Sequence, residues 1–261
     1  MTVSAETTPY PLLPLLGRGL AAGGAAGLAS GLFSLLLAEP LMDRAIGLEE
    51  KRAAAEAAHQ HGGHAAEAEE LFTRSTQHFG LVVTAVVVGL AVGVFFTLAH
   101  VLTYRTARPG PNSAWQRGMG LAGAGFLALS LLPGLRYPAN PPGVGDGGTV
   151  TERQGLWLAA LVIGVLGLAL ARQLYVRGAR AGHGLPARQL TAAGVVVATL
   201  AVLYLLPDNP DAVPVPATLL WDFRVLSLAA HVLLWTVLGA VFAALAARTG
   251  RTDGTEVESV R

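Results

Sequence analysis

Six stretches of this chain contain no Lys, Arg, Asp or Glu: Gly19–Ala38, Phe79–Leu102, Gly118–Leu135, Gly155–Ala171, Leu190–Leu206 and Val225–Ala247. They run from 17 to 24 residues. A hydrocarbon core of roughly 30 Å takes about 20 apolar residues of helix, with roughly 17–25 as the working range. All six stretches qualify, the two of 17 residues being the shortest. The chain is 52% hydrophobic and only 13% charged, whereas a soluble domain is about a quarter charged. A soluble fold would have too little polar surface to cover six such helices. The expected fold class is therefore all-α: a polytopic helical membrane protein with about six transmembrane helices and an extracytoplasmic helical hairpin carrying histidines.

The formal net charge of +1 gives no reason to expect nucleic acid as a partner. The absence of cysteine excludes disulfides, thiolate metal sites and iron–sulfur clusters, without identifying a compartment. The N-terminal segment carries Glu6 and no basic n-region, and its apolar run leads into Glu39-Pro40 rather than a small-residue cleavage site. It is expected to be the first span. Arg and Lys on short loops set orientation. Arg18, Arg105 with Arg108, Arg177 with Arg180 and Arg188, and Arg248 with Arg251 place four segments on the cytoplasmic side. Residues 39–78, 136–154 and 207–224 are then outside, and both termini are cytoplasmic. Residues 1–247 form a single transmembrane domain, followed by a short polar tail, 248–261, expected to lack regular structure. Gly27-x-x-x-Gly31 and Gly89-x-x-x-Gly93 are small-residue pairs that let helix backbones approach, and they imply no oligomer. There is no convincing internal repeat of the kind that inverted-repeat transporters carry.

Chemistry-bearing residues concentrate between the first two spans. The Ala-, Glu- and Leu-rich stretch there favours helix, and Gly62-Gly63 is the natural turn of a hairpin. Three of the seven histidines, His59, His61 and His64, flank that turn. Glu56 precedes His59 by three residues and Glu67 follows His64 by three, so each pair shares a helix face. Imidazole with carboxylate suits divalent Co, Ni, Cu and Zn. Without thiolates, such a site releases metal more readily than a cysteine-rich one. The plainer reading is a solvated loop with incidental histidines. Glu49, Glu50, Glu69 and Glu70 read as a solvated acidic face that raises local cation concentration.

Ionisable groups at membrane depth are costly and are functional candidates by default. Glu39 and Asp43 follow the first run, His78 precedes the second, His100 lies near the far end of the second, and Asp222 and His231 mark the start of the sixth. These six are the candidate path. For His100 and His231 the alternative is a neutral imidazole hydrogen-bonded within the bundle. For Asp222 it is an interfacial anchor or an ion pair with Arg224. Two proline-rich loops, 136–146 and 207–216, should be extended and stiff. Asn140, Asp146, Asp208 and Asp211 offer oxygen ligands there, in a spacing that specifies no metal.

Four segments together carry a resemblance. They are EPLMDRAIGLEE after the glycine-rich first span, the His/Glu loop, RYPANPPGVGD, and PATLLWDFRVLSL leading into the last helix. The chain resembles the CbtA family of predicted cobalt transporter subunits over almost its whole length. The resemblance implies a multi-pass subunit of the bacterial cytoplasmic membrane, tied to cobalt supply for cobalamin synthesis. It also implies a small partner, CbtB, with one span and a histidine motif. No permanently bound cofactor is implied; the divalent ion is cargo. The residues themselves do not separate cobalt from nickel or zinc.

Transport of a captured ion is one functional reading. A non-transporting metal-sensing or assembly subunit of a membrane metal transporter is the other. No G-x-x-x-x-G-K-[ST] phosphate loop is present, so energy would come from the membrane potential, a proton gradient or a partner. Neither H-E-x-x-H nor G-x-S-x-G occurs, and an enzyme is not expected.

Overall fold

Proline is the residue least suited to the interior of a helix, because it lacks an N–H and its ring meets the carbonyl four residues back. Two prolines nevertheless lie inside long helices here, and each is preceded by a widened turn. The computed structural model describes residues 12–59, 73–104, 113–142 and 144–258. Helix α1 (Leu12–Phe33) passes through a π-helical turn (Ser34–Ala38) into α2 (Glu39–His59). Helix α3 spans Arg74–Tyr104, and α4 (Ser113–Phe126) passes through a second π-helical turn (Leu127–Leu131) into α5 (Leu132–Arg136). A 3₁₀ turn (Gly147–Thr149) opens α6 (Val150–Arg180), followed by α7 (Leu185–Leu203) and α8 (Ala217–Glu258). The described residues contain no strand.

In the first π-helical turn Glu39 N–H donates to Ser34 O, and in the second Leu132 N–H donates to Leu127 O. Both bonds reach back five residues rather than four. Pro40 and Pro133 follow directly, and the wider register absorbs the missing donor and ring without ending the helix. The first span therefore does not stop at Glu39-Pro40. It runs on as the polar helix α2, through the start of what the sequence presents as a loop.

Six segments are long and apolar enough to cross a membrane: Leu12–Arg52, Arg74–Tyr104, Ala114–Arg136, Gly147–Arg180, Leu185–Leu203 and Ala217–Ala247. Five of the charge-free runs lie wholly inside them, and the run Leu190–Leu206 overshoots α7 by three residues. Large apolar side chains are exposed along their charge-free runs, Phe95, Leu102, Leu166 and Val197 among them. An outer surface of this kind suits lipid, where only internally bonded backbone survives. The expected irregular tail is corrected: α8 continues through it to Glu258. Extending a formed helix costs no new nucleus, which offsets the poor propensity of Gly250 and Gly254. The expected hairpin turn at Gly62-Gly63, with His61, His64 and Glu67, lies outside the described residues.

The chain divides into two bodies. One holds α1 through Leu32, α3 from His78, α4 through Gly123 and α8 from Leu233. In it, Gly19, Gly23 and Gly27 of α1 lie against Gly93, Gly89 and Ala85 of α3, backbone on backbone. The GxxxG pairs are thus intramolecular packing surfaces. Gly118 and Ala122 of α4 meet Gly239 and Ala243 of α8 in the same way. Thr97, fully buried, donates to Gly93 O at 2.9 Å, with Leu15 O at 3.4 Å.

The other body holds residues 33–77 and 124–232. Leu41, Ala45 and Leu48 of α2 form one stripe at helical spacing and pack on Leu219, Phe223 and Leu226 of α8. Leu132, Ala160 and Leu203 form a second core. Helices α6 and α7 are joined by a tight turn in which Gly182 (φ +78°) is left-handed. His183 N–H donates to Gly178 O and Gly182 N–H to Ala179 O, the double bond pattern that closes a helix on a glycine.

Candidate metal-path residues

Glu39 and Asp43 are one helical turn apart on α2, so both carboxylates lie along one face. Glu39 is buried and Asp43 exposed. Between them sits the guanidinium of Arg74, at the start of α3: its Nη2 is 2.8 Å from Glu39 Oε1 and also pairs with Asp43 Oδ1. Arg74 Nη1 donates to Gln77 Oε1 at 2.7 Å. The structure thus brings two of the path candidates together and supplies a third member that the sequence reading passed over. A buried carboxylate requires a charged or strongly donating partner. The only hint in the sequence was an acid pair at i, i+4 beside a membrane run, which calls for a cation from elsewhere.

His78, half-buried, follows Arg74 by four residues along α3 and belongs to the first body. Deeper on α3, His100 is buried. Its ring lies 5.1 Å, centroid to centroid, from Phe242 and the same distance from Tyr104, both tilted. Phe96 meets Phe242 edge-on at 5.1 Å, and Arg117 lies over the Tyr104 ring at 5.3 Å. Aromatic faces enclose the imidazole, and its Nδ1 has no hydrogen-bond partner among the described residues. A buried, unpaired nitrogen of this kind is costly unless a proton, water or metal visits it.

His231 is exposed on α8, and its Nδ1 lies 2.8 Å from Ser227 O, one turn earlier on its own helix. That contact satisfies one ring nitrogen locally. Asp222 does not pair with Arg224. Arg224 instead donates to Asn140 Oδ1 at 2.9 Å and to Ala139 O at 3.3 Å. Asp222 lines a pocket of about 430 Å³ that Arg44 and Lys51 also line. Asp222 thus shares its pocket with two cations, which oppose the approach of a further cation, while its own carboxylate attracts one.

The oxygen groups of the proline-rich loops are committed to holding the second body together. Asp208 pairs with Arg136 at 2.7 Å, and Asp211 pairs with Arg153 at 2.9 Å while accepting from Thr149. Asp146 caps the 3₁₀ turn at Gly148 N–H, and Asn140 serves Arg224. Arg52 reaches across to Pro214 O. Glu56 and His59 fall at the C-terminal end of α2, three residues apart on continuous helix. No group of three or more His, Asp and Glu side chains converges as a metal site among the described residues.

An all-helical chain with six apolar segments of membrane-crossing length, along which large apolar side chains are exposed, defines a multi-pass membrane protein. The family model described as probable cobalt transporter subunit, CbtA, matches residues 13–247. The chain therefore belongs to the CbtA family, as the four quoted segments led one to expect, and is a cobalt transporter subunit by that membership. No curated protein and no solved structure matches it.

Proposed function

We propose that this subunit takes up cobalt for cobalamin synthesis across the bacterial cytoplasmic membrane, with both termini cytoplasmic, and that the His/Glu segment captures the ion. The observation that carries the reading is the continuity of α2. It leaves the first span without a break and carries the backbone on to His59, three residues after Glu56, and the proposal gives these two residues the first carboxylate and imidazole of the donor set. His61, His64 and Glu67 would complete the donor set. Glu39, Asp43 and His78 would receive the ion beyond the loop, with His231 or His100 further along. A small single-span, histidine-bearing subunit of the CbtB kind is the proposed partner, in keeping with the word subunit in the family description.

Radiolabelled cobalt uptake tests this in cells lacking their own cobalt importers. Wild type is compared with a His59→Ala, His61→Ala, His64→Ala triple variant, each with and without the partner and at matched membrane level. The expected outcome is uptake with wild type and background counts with the triple variant. Undiminished uptake in the variant would remove the loop from the mechanism. Retained cobalt binding with no uptake in any combination would favour the sensing or assembly role.

A further inference from the structure

The pocket beside Asp222 is not used by the proposed ion path. It is a cleft along the α2–α8 pair, wholly within the second body. Arg44, Gly47 and Lys51 recur at helical spacing on α2, and Thr218, Leu219 and Asp222 on the first turns of α8. Leu48 and Leu219 supply the apolar part of the lining. Arg44, Lys51 and Asp222 are all exposed, and none forms an ion pair among the described residues. A volume of about 430 Å³ is ample for a small headgroup.

Depth is set by two independent markers. The charge-free run of α8 begins at Val225, so Asp222 lies within one helical turn of its start. Trp221, next to Asp222, is 69% exposed, and exposed tryptophan at a span end marks the bilayer interface. The cleft is therefore at phosphate level. Its charges are of both signs and separated: two cations on α2, one carboxylate on α8. A purely anionic ligand would meet Asp222, and a purely cationic one would meet Arg44 and Lys51. A ligand carrying a phosphate and a primary ammonium a few bonds apart satisfies all three. Choline is excluded from the same role, because a quaternary ammonium donates no hydrogen bond.

We propose that this cleft binds the headgroup of a phosphatidylethanolamine lipid, the phosphate between Arg44 and Lys51 and the ammonium on Asp222. Acyl chains then run down the apolar flank of the helix pair. The bound lipid braces α2 against α8, at the base of the helix that carries Glu56 and His59.

The test is lipid binding to the purified full chain by native mass spectrometry, using phosphatidylethanolamine, phosphatidylcholine and phosphatidylglycerol with identical acyl chains. Wild type should hold phosphatidylethanolamine about fivefold tighter than either of the others, the increment expected of one hydrogen bond from the ammonium to Asp222. Asp222→Asn should abolish the preference over phosphatidylcholine. Arg44→Gln and Lys51→Gln should each weaken all three lipids by about fivefold. Gly47 offers a second route, since a Cβ there meets nothing within 4 Å. Gly47→Leu fills the cleft without touching a charge and should lose the bound lipid while keeping helical circular dichroism and elution volume. Equal binding of phosphatidylethanolamine and phosphatidylcholine by wild type overturns the proposal, as does a preference that survives Asp222→Asn. Tighter binding of phosphatidylglycerol would mark a simple anion site instead. Displacement by soluble phosphoethanolamine at the affinity of the lipid would reassign the cleft to a soluble phosphoamine.

Discussion

Glu39 is the residue on which the α2–α3 contact of the second body turns. Its carboxylate is buried, and Arg74 is what makes that burial tolerable. Removing the guanidinium takes a charged partner from a buried carboxylate, whereas removing both charges also removes the need for one. Arg74 is about a third exposed, which moderates the cost. Arg74→Ala should therefore destabilise the purified protein by about 1–3 kcal/mol, read as a fall in apparent Tm in detergent. Adding Glu39→Gln to it should restore much of the loss, so the double variant is less damaged than the two single losses predict. Additive losses would mean that the two side chains do not depend on each other. The acid pair at i, i+4 was legible in the sequence, because helical spacing is local. Arg74 was not, because it lies 35 residues further along the chain, on a different helix. His100 is a similar case: its membrane depth could be counted along α3, but the Phe242 ring it meets comes from α8.

At the scale of elements, the charge-free runs located all six membrane-crossing segments, because hydropathy over a bilayer's thickness leaves few alternatives. They were less informative about helix ends. Polar helix costs nothing once it leaves the hydrocarbon, so α2 and α6 continue well past their apolar runs. Pro40 does not end the helix for a specific reason: the π-helical turn at Ser34–Ala38 moves the missing hydrogen bond out of the way. The glycine pairs marked close helix contact, but not which helices meet. The α1–α3 contact makes that assignment testable. A methyl group at Gly23 would overlap the carbonyl of Gly89, whereas one at Gly17 meets nothing within 4 Å. Gly23→Ala should cost about 1–3 kcal/mol by overpacking. Gly17→Ala should be neutral or mildly stabilising, since alanine is the better helix former. Detergent thermal melts of the two variants, run side by side, check this. Equal melting temperatures would contradict backbone contact at Gly23.

For the whole molecule, six spans require both ends of the chain to face the same side, and the proposed ion path has direction only if that side is the cytoplasm. The basic residues argue for it: Arg177, Arg180 and Arg188 crowd the α6–α7 connection, whereas residues 207–223 hold Asp208, Asp211 and Asp222 and no Lys or Arg. Capture by Glu56 and His59 from outside the cell depends on the same orientation. The protein's lack of cysteine makes the question unusually clean, since any introduced thiol is the only one in the chain. Ala139, Ala181 and Ala212 are exposed and lie in three different connections. Single variants Ala139→Cys, Ala181→Cys and Ala212→Cys, in intact cells stripped of any outer permeability barrier, meet a membrane-impermeant maleimide from outside only. The thiols at 139 and 212 should react before lysis, and the thiol at 181 only after it. The inverted pattern would put the α2 end in the cytoplasm, where it could serve metal release or sensing but not uptake. The first functional experiment would then be export of a preloaded ion rather than uptake.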